Sequence, residues 1–263
     1  AVRLSGGRLR LLPRLELSAV QGTITPRESP GATPRLGLDL SGSYGGAEAQ
    51  LWSASGWLDP ARLDGKLELT AKRFNLERVG SLLRKSPVIH PKKAEVDGKL
   101  EMTLKEGLLA FDGGFKLKGL DLFHPGLARA VVPDLAGQLS IQGSAHLREG
   151  RLTLKSATIR TGGVEATLSG SLEQHGSKPL LDLRLVVPPV PCQKVLESLP
   201  PALVPELRSF SLRGDFSADI KAKIDFNNPK DLTLGGKVNI YRCKVVSAPE
   251  WVSAERLMQP FIH

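Results

Sequence analysis

A seven-residue segment occurs twice, and its form dictates strands. Asp64-Gly65-Lys66-Leu67-Glu68-Leu69-Thr70 returns almost unchanged, 33 residues later, as Asp97-Gly98-Lys99-Leu100-Glu101-Met102-Thr103. Looser copies are Gly137-Gln138-Leu139-Ser140-Ile141, Gly170-Ser171-Leu172, Gly214-Asp215-Phe216-Ser217-Ala218 and Gly236-Lys237-Val238-Asn239-Ile240. In each, a glycine precedes alternating apolar and polar residues. A period of two sends apolar side chains to one face of a strand and polar ones to the other. So short a unit cannot bury its own apolar face, so the copies must lie side by side.

The alternation extends well beyond the repeats. Its longest run is Phe210 to Phe226, with Phe216, Ile220 and Ile224 on one face and Asp215, Asp219, Lys221 and Lys223 on the other. About 17 residues at about 3.3 Å each span roughly 55 Å, far longer than an ordinary strand. The apolar set changes face at Leu154–Ile159 and again at Ile240–Tyr241, which predicts bulges there. Lys105-Glu106-Gly107, Arg148-Glu149-Gly150, Thr161-Gly162-Gly163 and Asn227-Asn228-Pro229 are turn signals. Helices are few: 76–86 capped by Asn75, a turn at 126–132, 193–199 and 253–258. Trp52 and Trp57 flank what reads as a Ser/Gly-rich turn. The prolines of Val186–Pro191 read as a linker or rigid corner, dividing a repeated strand region, 1–187, from a C-terminal hairpin region, 188–263. The expected fold is mainly β: a long curved antiparallel sheet, taco-like or an elongated sandwich, with a few short helices.

Composition narrows the function classes. The chain carries a net charge of +9, yet its charges are interleaved rather than blocked. Lys66, Glu68 and Lys72 share one strand face, and Lys99, Glu101 and Lys105 share the next. No basic block with interleaved aromatics accompanies them, so nucleic acid is not an expected partner. The pattern reads first as a solvated mixed-charge face, with weak affinity for anionic phospholipid or peptidoglycan ranking between that and nucleic acid. No run of about 18 apolar residues is present. The chain opens without a methionine and reads as a segment whose membrane anchor lies outside it. Cys192 and Cys243 form no CxxC and have no histidine cluster to complete a zinc site. In a reducing compartment they are two unrelated thiols, and in an oxidising one they are a disulfide.

Catalytic signatures are missing. There is no GxSxG, HExxH, P-loop or GxGxxG. His90, His124, His146, His175 and His263 are scattered, and the carboxylates sit mostly on wet strand faces beside lysines. No catalytic residue, metal ligand or cofactor is assigned.

The repeat resembles the AsmA-like family of Gram-negative envelope proteins. The matching residues are Leu63 to Leu69, Phe74-Asn75-Leu76 with the helix to Leu83, the Gly98–Leu104 strand, and the Gly137–Leu147 and Gly163–Leu172 hairpins. Together they cover roughly residues 35–187. The resemblance implies a folded-over sheet with an apolar inner groove. It implies a periplasmic body tethered to the inner membrane, with a role in phospholipid transport or outer-membrane assembly. The groove residues are then Leu67, Leu69, Leu100, Met102, Leu139, Ile141, Leu168, Phe216, Ile220 and Ile224. The set formed by Val187–Gln193, Phe210–Gly214, Cys243–Val246 and Leu257–His263 resembles a second group. It is similar to the stretch preceding the catalytic domain in delta-proteobacterial transglycosylase-domain proteins, which resemble family 51 peptidoglycan glycosyltransferases of the penicillin-binding class. That family's Glu-Asp signature does not occur here, so no catalytic residue is carried over. The paired cysteines of this set imply a Cys192–Cys243 disulfide and a periplasmic home. The leading expectation is a non-catalytic scaffold holding acyl chains. The alternative is an accessory region of a transglycosylase whose catalytic domain lies downstream.

Overall fold

Alternating sequence becomes one antiparallel meander. The computed structural model describes residues 2–12, 15–27, 35–44, 50–84, 86–123, 131–175, 178–199, 210–228 and 232–247. The strands are β1 (Val2–Leu12), β2 (Leu15–Arg27), β3 (Arg35–Tyr44), β4 (Trp52–Asp59), β5 (Asp64–Asn75), β6 (Val88–Ile89) and β7 (Glu95–Lys105). There follow β8 (Leu108–Leu122), β9 (Val132–His146), β10 (Arg151–Thr161), β11 (Val164–His175), β12 (Lys178–Pro191), β13 (Ser211–Asp225) and β14 (Thr233–Ser247). They form a single 14-stranded sheet in sequence order, in which the two-residue β6 alone stands off the path, pairing with β8. The sheet is not closed, and among the described strands β1 and β14 are its edges. The sandwich form of the expectation is thereby replaced by one open layer.

The two repeat copies lie against each other. Leu67 faces Met102, Leu69 faces Leu100 and Glu68 faces Glu101 across the β5–β7 ladder. Two glutamates directly opposite would repel. Lys99 Nζ lies between them, 3.2 Å from Glu68 and 3.0 Å from Glu101. Its hydrogen bond to Glu101, then that to Glu68, holds the lysine above its ordinary pKa, and the same lysine lowers that of Glu101. The aspartate opening each copy serves the backbone next door: Asp64 accepts from Glu106 N–H and Asp97 from Arg73 N–H.

Both expected bulges are present. Register shifts fall at Leu154–Ala157 and between Arg213 and Asp215, where Arg242 stands at φ 52 opposite Gly214 at φ 115. The long C-terminal strand is β13, 15 residues. Three local expectations are corrected. Ser53–Gly56 lies within β4 rather than in a turn, because Ala54 and Gly56 are small residues facing Leu40 and Leu38. The helix at 76–86 shrinks to a 3-10 turn, Leu76–Val79, although Asn75 caps it as expected by accepting from Glu77 N–H. Val186–Pro191 is strand, not linker, with a register shift between Val187 and Val190. The helix expected at 193–199 is α1 (Cys192–Ser198). Those expected at 126–132 and 253–258 lie largely or wholly outside the described residues.

A single layer leaves much surface wet. The chain exposes 17667 Å², against roughly 11,000 Å² for a compact protein of its mass. The glycines of the apolar face set its relief. Gly98, Gly113, Gly143 and Gly170 pair with Phe115, Leu100, Phe111 and Leu183 respectively, and those side chains lie over the glycines. A Cβ at Gly170 would run into the Asp182 carbonyl oxygen of the adjoining strand. Gly170→Val is therefore expected to cost about 2–3 kcal/mol by overpacking, read as a lower urea midpoint. An unchanged midpoint would contradict this packing.

Candidate functional site: the open apolar face

Register carries one row of apolar residues across the sheet. Leu40 faces Ala54, Ala54 faces Leu69, Leu69 faces Leu100, and Leu100 faces Gly113. The row continues through Ile141, Ala157, Leu168, Leu185 and Ile220 to Gly236. It runs from β3 to β14, roughly 50 Å at the usual strand spacing. The row below contains Leu38, Gly56, Leu67, Met102, Phe111, Gly143 and Leu154. All ten residues expected in the groove thus share one face. Leu69, Leu100, Ile141, Leu168 and Ile220 occupy the first row. Leu67 and Met102 occupy the second. Leu139 and Phe216 lie above, and Ile224 below, opposite Leu181.

The face curls at one end into a cavity of about 410 Å³, lined by Ile24, Leu36, Leu38, Leu58, Leu67, Met102, Leu104 and Leu109, with backbone between. Five inter-strand steps separate Ile24 on β2 from Leu109 on β8, about 24 Å in a flat sheet. Sharing one cavity requires the sheet to bend around it. The volume falls within the range that small ligands occupy, about 300–1,000 Å³. Of the expected groove residues, only Leu67 and Met102 line it. Leu36, Leu38, Leu58 and Leu109 carry the same alternation but lack the repeat's opening glycine, which is the one signal that singles out the other strands. The cavity remains open: Leu36 is 40% and Leu58 42% exposed.

The opposite end of the face is plugged. Tyr44 and Phe74 meet edge to face at 5.2 Å, and the Arg78 guanidinium of the 3-10 turn lies 5.2 Å over the Tyr44 ring. Arg78 also donates to the Tyr44 carbonyl oxygen at 3.3 Å, and the Tyr44 hydroxyl donates to Leu51 O at 3.4 Å. Burial pushes the Tyr44 phenol up to about 12, against the opposing effect of Arg78. The strap from Leu76 to Ala94 is then clasped by Asp121, a carboxylate only 2% exposed. One oxygen accepts from Asp134 N–H at 3.0 Å; the other lies 3.1 Å from both Lys93 Nζ and His90 Nδ1. α1 follows the same end of β12 and packs on β13, with Gln193 accepting from Leu212 N–H at 2.7 Å.

The Asp134 N–H and then Lys93 hold the Asp121 carboxyl below its usual range. A lowered carboxylate stabilises the fold fully above its unfolded pKa, about 3.9, and loses that contribution as pH falls through the folded value. The strap is accordingly expected to gain proteolytic sensitivity only below about pH 4. Asp121→Asn should show that sensitivity already at neutral pH. A variant as resistant as the parent at pH 7 would remove Asp121 from this role.

Two of the tryptophans that could stack on a sugar have partners within the sheet, and Trp57 also lines the cavity. Trp52 Nε1 donates to Ser43 O at 3.2 Å, and the Trp57 ring lies 4.5 Å beneath the Arg35 guanidinium. Cys192 and Cys243 are joined in a disulfide. The fold and site define an open antiparallel sheet whose apolar face no other layer of the described residues covers. The chain matches no protein family, no curated protein and no solved structure.

Proposed function

We propose that this chain is a non-catalytic, AsmA-like scaffold of a Gram-negative cell envelope, with phospholipid acyl chains held on its open apolar face. The observation that carries the reading is the uninterrupted row from Leu40 to Ile220, which no second layer of the described residues covers. Apolar surface left in water costs about 25 cal/mol per Å², and exposed patches beyond a few hundred Å² mark a binding surface. Acyl chains meet the need without asking for hydrogen bonds. The Cys192–Cys243 disulfide supports an oxidising compartment, which in this reading is the periplasm, with the inner-membrane anchor outside the chain. Mass spectrometry of organic extracts from the purified protein tests it. Phospholipid in near-stoichiometric amount is expected, and lipid-free protein that also binds none on reconstitution would reject the reading. The alternative reading, an accessory region of a peptidoglycan transglycosylase, predicts retention on purified sacculi.

A further inference from the structure

The two edges of the sheet are built differently. β1 is broken by three register irregularities and a glycine at φ 67, devices that discourage further pairing. β14 is regular in its first part: from Thr233 to Tyr241, with Gly236 at φ 140, it keeps nine consecutive partners on β13 without a shift before the Arg242 bulge, and no proline interrupts it. Among the described residues no strand pairs with its outer side. Leu234 is 69% and Ile240 65% exposed, so the apolar face stops abruptly at this strand. The polar face beside it is cationic. Among the described residues no carboxylate lies within ion-pair distance of Lys221, Lys223, Lys237 or Lys244, and Asp219, which Arg184 and Lys221 both hold below its usual range, is bonded by the Arg184 Nε and a terminal nitrogen at 2.8 and 2.6 Å.

We infer that β14 accepts an additional strand from a partner whose residues alternate between apolar and acidic. The backbone groups supply the ladder, Leu234, Val238 and Ile240 set the apolar side, and Lys237 and Lys244 on β14 select carboxylates opposite them, with Lys221 and Lys223 of β13 adding to the positive field behind. A second copy of β14 does not meet this requirement, because Thr233–Ser247 carries Lys237, Arg242 and Lys244 and no carboxylate to answer them. This inference does not depend on what the apolar face holds.

The test uses the full chain and two blocked nine-residue peptides, one alternating valine and glutamate, the other valine and lysine. Hydrogen exchange is read at the amides of 233–241. The valine–glutamate peptide should slow every second amide there, increasingly so as salt is lowered, while the valine–lysine peptide should not. Lys237→Glu, at an exposed position, should weaken binding of the acidic peptide by about tenfold through loss of one cross-strand pair and gain of one repulsion. It should also improve binding of the basic peptide. Equal protection by both peptides, or none by either, would overturn the inference. So would protection that appears with protein concentration alone, or on anionic phosphatidylglycerol vesicles in place of peptide.

Discussion

Replacing both Cys192 and Cys243 by alanine is expected to destabilise the C-terminal end of the sheet by about 4 kcal/mol. The bridge closes a loop with a sequence separation of 51, and the chain entropy it withholds from the unfolded state grows slowly with that length. Position decides where the loss is felt. Cys192 opens α1 and is 3% exposed, while Cys243 lies on β14 just beyond the Arg242 bulge. Among the described residues β14 has one neighbouring strand, β13, and the bridge is a second attachment. In a sheet whose strands touch only their sequence neighbours, stability is a sum of local terms. Hydrogen exchange should therefore accelerate in α1 and β14 and leave β5–β9 unchanged. Uniform acceleration would mean that the sheet unfolds as one unit. No acceleration at all would mean that the bridge contributes nothing. Alkylation of the denatured, unreduced protein should label neither thiol.

Met102→Glu should abolish acyl-chain binding while leaving the sheet intact. Met102 lies beside Leu67 and Phe111 in the ladder and lines the cavity. Because the face is open, a glutamate there keeps its water in the empty protein, and circular dichroism should be unchanged. An acyl chain laid over it would strip that water, at a cost of several kcal/mol for an uncompensated charge. Lipid recovered by extraction should fall by more than about tenfold, since each 1.4 kcal/mol is a factor of ten. Met102→Leu conserves volume and polarity and should bind as the parent does. Undiminished lipid in the glutamate variant would place the acyl chains elsewhere.

The strands from β5 onward are legible in the sequence because their large residues stand at every second position, and the bulges because that pattern changes face. β4 hides itself. Its apolar face carries Ala54 and Gly56, whose work is to make room for Leu38, Leu40, Leu67 and Leu69 on either side. A small residue chosen by its neighbours leaves no hydrophobic signal of its own. The strap misleads in the other direction. Leu76, Val79 and Leu83 are spaced for a helix, but Leu82 is 68% exposed and the backbone tightens to 3-10 geometry before a second turn forms. The cavity is less legible still. Ile24 and Leu109 lie 85 positions apart in the chain, and only the bend of the intervening strands brings them to one space.

The neighbour-only order of the strands bears on how the molecule is made. Contacts between adjacent hairpins have low sequence separation, and such topologies form quickly because little loop entropy must be spent before contacts close. The sheet can lengthen strand by strand from its N-terminal end as the polypeptide emerges into its compartment, each hairpin templating the next. Growth in pairs of strands conserves direction, register and the identity of the apolar face. The repeat at Asp64 and Asp97 departs from that rule: its copies lie on adjoining antiparallel strands and run in opposite directions, yet keep their leucines on one face.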